Sequence, residues 1–252
     1  MQENIFMVHG MWGGGWIWEN FKDYFSNIGY NCLNPNLPFH DTKFSDKPPM
    51  EFGKIGFYEY VEFLKKEIDK LDKRPIVFGH SMGGMLTQIL ASQGYCKAAV
   101  LFNPTPPGGI SSFSLYSLRC MKLVFLKSLF QKPHLINFSG MKYSAFDKID
   151  DSKHLELYNK LFYDSGRAFL EIALPIISKY KIAFVDNKKV TCPLLIIGSK
   201  HDQTMPPRIA RKIAKKYSTA EYKEFPDNAH WIIVEDNWKE VAEYVAQWIQ
   251  RL

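Results

Sequence analysis

Apolar runs and amphipathic stretches alternate at both ends of this chain and lose their alternation in between. Asn4 to Val8 reads as a buried strand that stops at His9-Gly10. A helix is expected from about Trp16 to Ile28, with Trp16, Phe21, Tyr24, Phe25 and Ile28 at helical spacing and Gly29 closing it. Tyr30 to Leu33 suits a second strand, and Pro35, Pro38, Pro48 and Pro49 then mark a long irregular loop. Next come a helix from Phe57 to Leu71, with Tyr60, Val61, Leu64, Ile68 and Leu71 on one face, a strand at Ile76 to Phe78, a helix from Met82 to Ala91 and a strand at Ala98 to Phe102. The pattern lapses from Asn103 to about Lys189. It resumes with Leu194 to Ile197 as strand, Pro207 to Lys216 as helix, Tyr222 to Phe225 as strand and Trp238 to Leu252 as a closing amphipathic helix. Strands separated by helices of this length predict an α/β fold, a mostly parallel sheet of about six strands with right-handed crossovers and helices on both faces. In such sheets the chemistry gathers at the carboxyl ends of the strands.

Three of those strand ends carry reactive side chains. After Ile76-Val77-Phe78 the chain runs Gly79-His80-Ser81-Met82-Gly83-Gly84, a G-x-S-x-G sequence between a strand and a helix. Glycines two before and two after the serine leave room for a cramped turn that exposes the hydroxyl. A serine hydroxyl is a poor nucleophile until a base takes its proton, and the base needs an acid to fix its tautomer and stabilise its charge. Asp202 follows the strand ending near Ile197, and His230 follows the one ending at Phe225. Asp227 is a weaker candidate for the acid, being three residues from His230 in the same loop.

The order Ser81, Asp202, His230 is similar to that of the α/β-hydrolases. With His9-Gly10 after the first strand and Gly-His-Ser-Met-Gly-Gly at the turn, the chain resembles that superfamily from Ile5 to its C-terminus. Within it, His9-Gly10-x-x-x-Gly14-x-Trp16-x-Trp18 is similar to the small plant-type esterase and hydroxynitrile lyase branch. The lyases of that branch carry Thr after the first His and Lys after the catalytic His, where this chain has Gly10 and Trp231, so the resemblance implies hydrolysis rather than cyanohydrin cleavage. Ser81 at the turn also sets aside dehalogenase and epoxide hydrolase chemistry, which uses Asp there. The resemblance assigns the oxyanion hole to the backbone N–H groups of Met11 and Met82. Two such donors can contribute roughly 3 kcal/mol apiece to transition-state stabilisation, and Met82 adds the partial positive charge of a helix N-terminus. His9 is expected to hold the oxyanion loop, and His80 to point away from substrate. His40, His134, His154 and His201 carry no signal of their own.

Composition adds a basic insertion. The chain has 252 residues and 46% hydrophobic content, enough for one domain with a substantial core. Its net charge of +6 is concentrated between Ser111 and Lys189, where 13 Lys and Arg face 7 Asp and Glu, and no acidic residue occurs from 73 to 146. The expected division is a catalytic core of residues 1–110 and 190–252 with a helical cap at 111–189. Ser111 to Phe130 interleaves residues such as Phe113, Leu123, Phe125 and Leu129 with Arg119, Lys122 and Lys127, which suits a helix resting its greasy face on the core or touching an anionic membrane. Trp12, Trp231 and Phe125 are expected to make the substrate pocket apolar.

Four scattered cysteines, Cys32, Cys96, Cys120 and Cys192, argue for reduced thiols in a cytoplasm. The first residues resemble no secretory signal, and no run is long enough for a membrane span. Metal, phosphate-loop and dinucleotide motifs are absent, so no metal, cofactor or nucleic acid is expected. The expected activity is a cofactor-free serine esterase on a small hydrophobic ester. Thioesters and monoacylglycerols are neighbouring substrates, C–C bond hydrolysis could use the same three residues, and a ligand-binding protein on a hydrolase scaffold is the alternative of another class.

Overall fold

The computed structural model describes residues 2–41, 48–111 and 124–252. Six strands form one sheet in the order β2-β1-β3-β4-β5-β6, and every adjacent pair is parallel. They are β1 (Asn4–Val8), β2 (Asn31–Leu33), β3 (Ile76–His80), β4 (Ala98–Phe102), β5 (Leu194–Ser199) and β6 (Ala220–Phe225). The inner strands β3, β4 and β5 are buried along their whole length, which is why each reads as a continuous apolar run.

Helices cover both faces. Helices α1 (Glu19–Asn27) and α8 (Trp238–Ile249) lie on one side, where Phe21, Phe25, Val241, Val245 and Trp248 pack with Phe78 and Phe102. Helices α2 (Phe57–Ile68), α3 (Met82–Ser92) and α7 (Pro207–Lys216) cover the other, where Tyr60, Leu64, Leu86, Ile89 and Ile213 pack with Val77, Leu101 and Ile196. The chain crosses between the faces at the β1–β3 pair. This is the switch point at which parallel sheets of this kind bind their ligands.

Between β4 and β5 the described residues include a helical stretch at 124–129, α4 (Phe138–Ser144), α5 (Asp151–Asn159) and α6 (Gly166–Ala173). Polar side chains start these helices: Asn137, Asp150 and Ser165 each accept a backbone N–H from the first turn. Most of the helix expected from Ser111 to Phe130, at 112–123, lies outside the described residues, as does Cys120. The remaining cysteines, Cys32, Cys96 and Cys192, are free thiols.

The insertion is anchored to the sheet domain by buried polar contacts. Glu171 accepts the N–H of Phe57 at 2.8 Å, at the start of α2, and pairs with Arg167 at 2.8 Å. The Ser165 hydroxyl reaches the carbonyl of Ile55 at 2.6 Å. A third apolar cluster joins the two parts, with Trp12 and Trp231 packed among Ile136, Met141, Phe146 and Leu161. Among the described residues, no helix is long and apolar enough to cross a membrane.

Candidate active site

The strand-to-helix turn has the strained form its sequence implies. Ser81 has φ +53° and ψ −117°, a region that costs a residue with a side chain about 1–3 kcal/mol. Its surroundings hold it there: Ser81 N–H donates to the Phe102 carbonyl at 3.0 Å, and its own carbonyl accepts from Gly84 at 2.9 Å and Thr105 at 3.0 Å. The first loop comes close enough to need a glycine, since a Cβ on Gly10 would lie 2.9 Å from the Cβ of Ser81.

Ser81, Asp202 and His230 meet at the carboxyl ends of β3, β5 and β6. His230 Nδ1 lies 2.8 Å from Asp202 Oδ2, and His230 Nε2 lies 3.1 Å from Ser81 Oγ. An ionised carboxylate can only accept, so Nδ1 carries the proton and the Nε2 lone pair faces the serine hydroxyl. Asp202 is buried, and its other oxygen accepts the N–H of Met205 at 2.7 Å. Asp227 is exposed and takes no part in this arrangement.

Neighbouring strand ends fix the His230 loop. Asn103, at the end of β4 with φ +44°, directs its amide nitrogen at Ser199 Oγ (2.9 Å) and the carbonyls of Ala229 (2.8 Å) and His230 (3.1 Å). His80 Nε2 donates to the His230 carbonyl at 2.8 Å. Burial, then the nearby His230 ring, lowers the His80 pKa to about 3, so the ring is neutral and acts as a prop. Glu235 is buried beside this loop and accepts the N–H of Ala229 and the amide of Asn228. The sequence gives no sign of Asn103 or Glu235 as supports of this loop, and for His80 it gives only the expectation that the ring points away from substrate. Asn103 comes nearest to a signal, a polar residue directly after a buried strand; for Glu235 no local pattern distinguishes it from a surface acid.

The oxyanion candidates stand on either side of Ser81 in the chain's path. Met82 opens α3, and among the described residues its N–H has no backbone acceptor. Met11 lies between Gly10 and Trp12 in the loop after β1, and its N–H likewise has no backbone acceptor among the described residues. His9 supports this loop as expected: Nδ1 donates to the Gly10 carbonyl at 2.8 Å and Nε2 accepts the Leu37 N–H at 3.0 Å. Burial, then the neighbouring His40, holds the His9 pKa near about 3. Of the expected pocket residues, Trp12 and Trp231 are buried in the third cluster and Phe125 is half-buried in the helical stretch at 124–129. His40 and His134, which carry no signal in the sequence, are fully buried next to the Trp12 loop. Among the described residues no group of His, Cys, Asp and Glu could hold a metal ion.

The chain is similar to known proteins over nearly all of its length. The mouse and human proteins called Protein ABHD8 are each 21% identical over 245 residues, which is 92% of this chain and 52% of theirs. The chain thus spans about half the length of the curated relatives it matches. Among solved structures, polyneuridine aldehyde esterase is 17% identical with a TM-score of 0.71, covering 98% of this chain and 99% of its own. A thermophilic esterase from Thermogutta terrifontis is 14% identical with a TM-score of 0.74, covering 100% and 90%. The sequence model of the alpha/beta hydrolase family matches residues 5–244, and this chain, with its parallel sheet and Ser81 on the turn after β3, belongs to that family.

Proposed function

We propose that the protein is a serine hydrolase that cleaves a carboxylic ester with a hydrophobic acyl or alcohol part, without a cofactor. The observation that carries this reading is the unbroken chain from Ser81 Oγ through the His230 ring to Asp202, at 3.1 and 2.8 Å, on a serine held in a strained backbone conformation. Ser81 Oγ attacks the ester carbonyl carbon while its proton passes to His230 Nε2, and Asp202 stabilises the imidazolium that results. The carbonyl oxygen becomes an oxyanion facing the N–H groups of Met11 and Met82. Collapse of the tetrahedral intermediate expels the alcohol, which takes the proton from His230 and leaves an acyl group on Ser81. Water then attacks that acyl carbon with His230 again as base, and the carboxylic acid departs.

The family supports hydrolysis, and two structural neighbours, polyneuridine aldehyde esterase and the Arabidopsis methylesterase MES16, favour esters among hydrolysable bonds. In this reading residues 111–189 form the cap, and Trp12, Trp231 and Phe125 line the apolar side of the pocket. The test is a panel of p-nitrophenyl esters and thioesters graded by acyl length, run on wild type and Ser81→Ala. Wild type is expected to release p-nitrophenol in an initial burst. The variant is expected to lose turnover by at least about 10³-fold at an unchanged melting temperature. Wild-type activity in Ser81→Ala would overturn the assignment.

A further inference from the structure

The loop that carries Met11 is held from outside the sheet. All three polar groups of Trp12 are engaged by residues between β4 and β5. Its backbone N–H donates to Asp164 Oδ2 at 2.8 Å, its carbonyl accepts from Phe162 N–H at 2.9 Å, and its indole N–H donates to His134 Nδ1 at 3.2 Å. His134 can accept because burial lowers its pKa to about 4 and keeps the ring neutral. Trp12 itself has φ +59°, a left-handed conformation that persists in a bulky residue only where its neighbours over-determine it.

Asp164 is the centre of this arrangement. It is fully buried, where an isolated carboxylate would be strongly disfavoured, yet four donors from four parts of the chain converge on it. Oδ1 accepts from Ser165 N–H at 2.7 Å and the Tyr60 hydroxyl at 3.3 Å; Oδ2 accepts from Trp12 N–H at 2.8 Å and His40 Nε2 at 3.2 Å. The other His40 nitrogen faces the Pro38 carbonyl at 3.1 Å, so both ring nitrogens meet oxygens. Burial acts to raise the Asp164 pKa, but His40 and the Trp12 N–H outweigh it and bring it below the usual carboxylate range.

We propose that Asp164 is a positioning residue for the oxyanion hole: by fixing the Trp12 N–H it sets the orientation of the adjoining Met11 peptide against Ser81. The inserted segment then governs the chemistry as well as access to it, because seating Asp164 and His134 on the first loop completes the oxyanion hole. This inference rests on the esterase reading, in which Met11 supplies an oxyanion donor.

The test pairs a kinetic readout with a structural one that needs no substrate. In Asp164→Asn, one of the converging N–H groups meets an amide N–H instead of a carboxylate oxygen. Hydrogen–deuterium exchange in the peptide covering 9–14 is expected to quicken at least about tenfold, with exchange in α3 unchanged. Acylation by p-nitrophenyl acetate is expected to slow by about 10–100-fold with KM within about twofold of wild type, less than the full loss of an oxyanion donor. Tyr60→Phe removes a single 3.3 Å hydrogen bond and is expected to move both readouts the same way by about two- to fivefold; it carries the test where Asp164→Asn does not fold. Wild-type exchange at 9–14, or wild-type acylation in an otherwise active protein, would overturn the role of Asp164. A wild-type chain that acylates with no ester, while Asp164→Asn still frees the loop, would instead overturn the esterase reading and leave the clamp standing.

Discussion

The two sides of the candidate site are held by different means. On the Ser81 side, backbone packs on backbone: a Cβ on Gly79 would lie 2.4 Å from the Gly83 carbonyl oxygen, and one on Gly83 would lie 2.2 Å from that of Val8. The turn is thus wedged between β1 and α3 within the sheet domain. On the Met11 side, the loop owes its shape to Asp164, His134 and Phe162, which lie more than a hundred residues further along the chain. The first side comes into being with the sheet, whereas the second is complete only when the insertion is seated.

The largest effect should come from breaking the wedge. In Gly83→Ala the new methyl group meets backbone oxygens of Val8 and His9, at 2.2 and 2.6 Å, and neither can move without disturbing the β1–β3 pair. A destabilisation of about 3 kcal/mol or more is expected. The melting temperature should drop by roughly 6–12 °C in a chain of this size. Exchange should quicken across the sheet and not only at 9–14, in contrast to Asp164→Asn. A Gly83→Ala protein that melts with wild type would show that the turn is not wedged as described.

The same contrast explains what the sequence revealed. Buried parallel strands must be apolar throughout, so β3, β4 and β5 stand out in the sequence, and the reactive residues that follow β3 and β5 fall at strand ends. Ser81 and Asp202 belong to that local signal, whereas His230 lies beyond the edge strand β6, of which the sequence marks the end at Phe225. Strand edges were less legible: β5 runs on through Gly198 and Ser199 because both pair with β6, and β6 begins earlier, at Ala220, where an alternating polar pattern masks an edge strand. Asp164, His40 and His134 were invisible for a different reason. Each is a lone polar residue without periodic company, and the contacts joining Asp164 to His40 and Trp12 to His134 span 124 and 122 residues. Nothing in the local sequence records a pairing of that length.

An intermediate effect should separate the His230 loop from both other parts. Asn103→Gly keeps the left-handed backbone at φ +44° and removes only the amide that holds Ser199, Ala229 and His230. Losing these bonds should cost about 1–2 kcal/mol and lower kcat about tenfold, since His80 still holds the His230 carbonyl. Protection at 9–14 should stay at its wild-type level. If the 9–14 loop loosened as well, the two sides would be one cooperative unit and the comparison would fail.

The smallest effect is a dependence on pH that belongs to the His230 loop. The Glu235 carboxyl is pushed up to about 7, first by burial and then by the charges of Asp147 and Asp202, against the opposing hydrogen bonds from Ala229 and Asn228. In the unfolded chain the same group titrates near 4.5, so between these values the folded protein holds the proton that the unfolded chain has lost. Its contribution is therefore greatest below 4.5 and declines as pH rises through about 7, by about 1 kcal/mol between pH 6 and 7. Glu235→Gln cannot ionise and should flatten that part of the curve, which urea unfolding midpoints at about pH 6 and pH 7 would reveal. Because Glu235 grips the Ala229 N–H and not the Trp12 loop, the flattened curve should accompany wild-type exchange at 9–14. A variant that keeps the wild-type slope would assign the pH dependence to another acid of raised pKa, with Asp147, whose carboxyl desolvation also raises, the next to test.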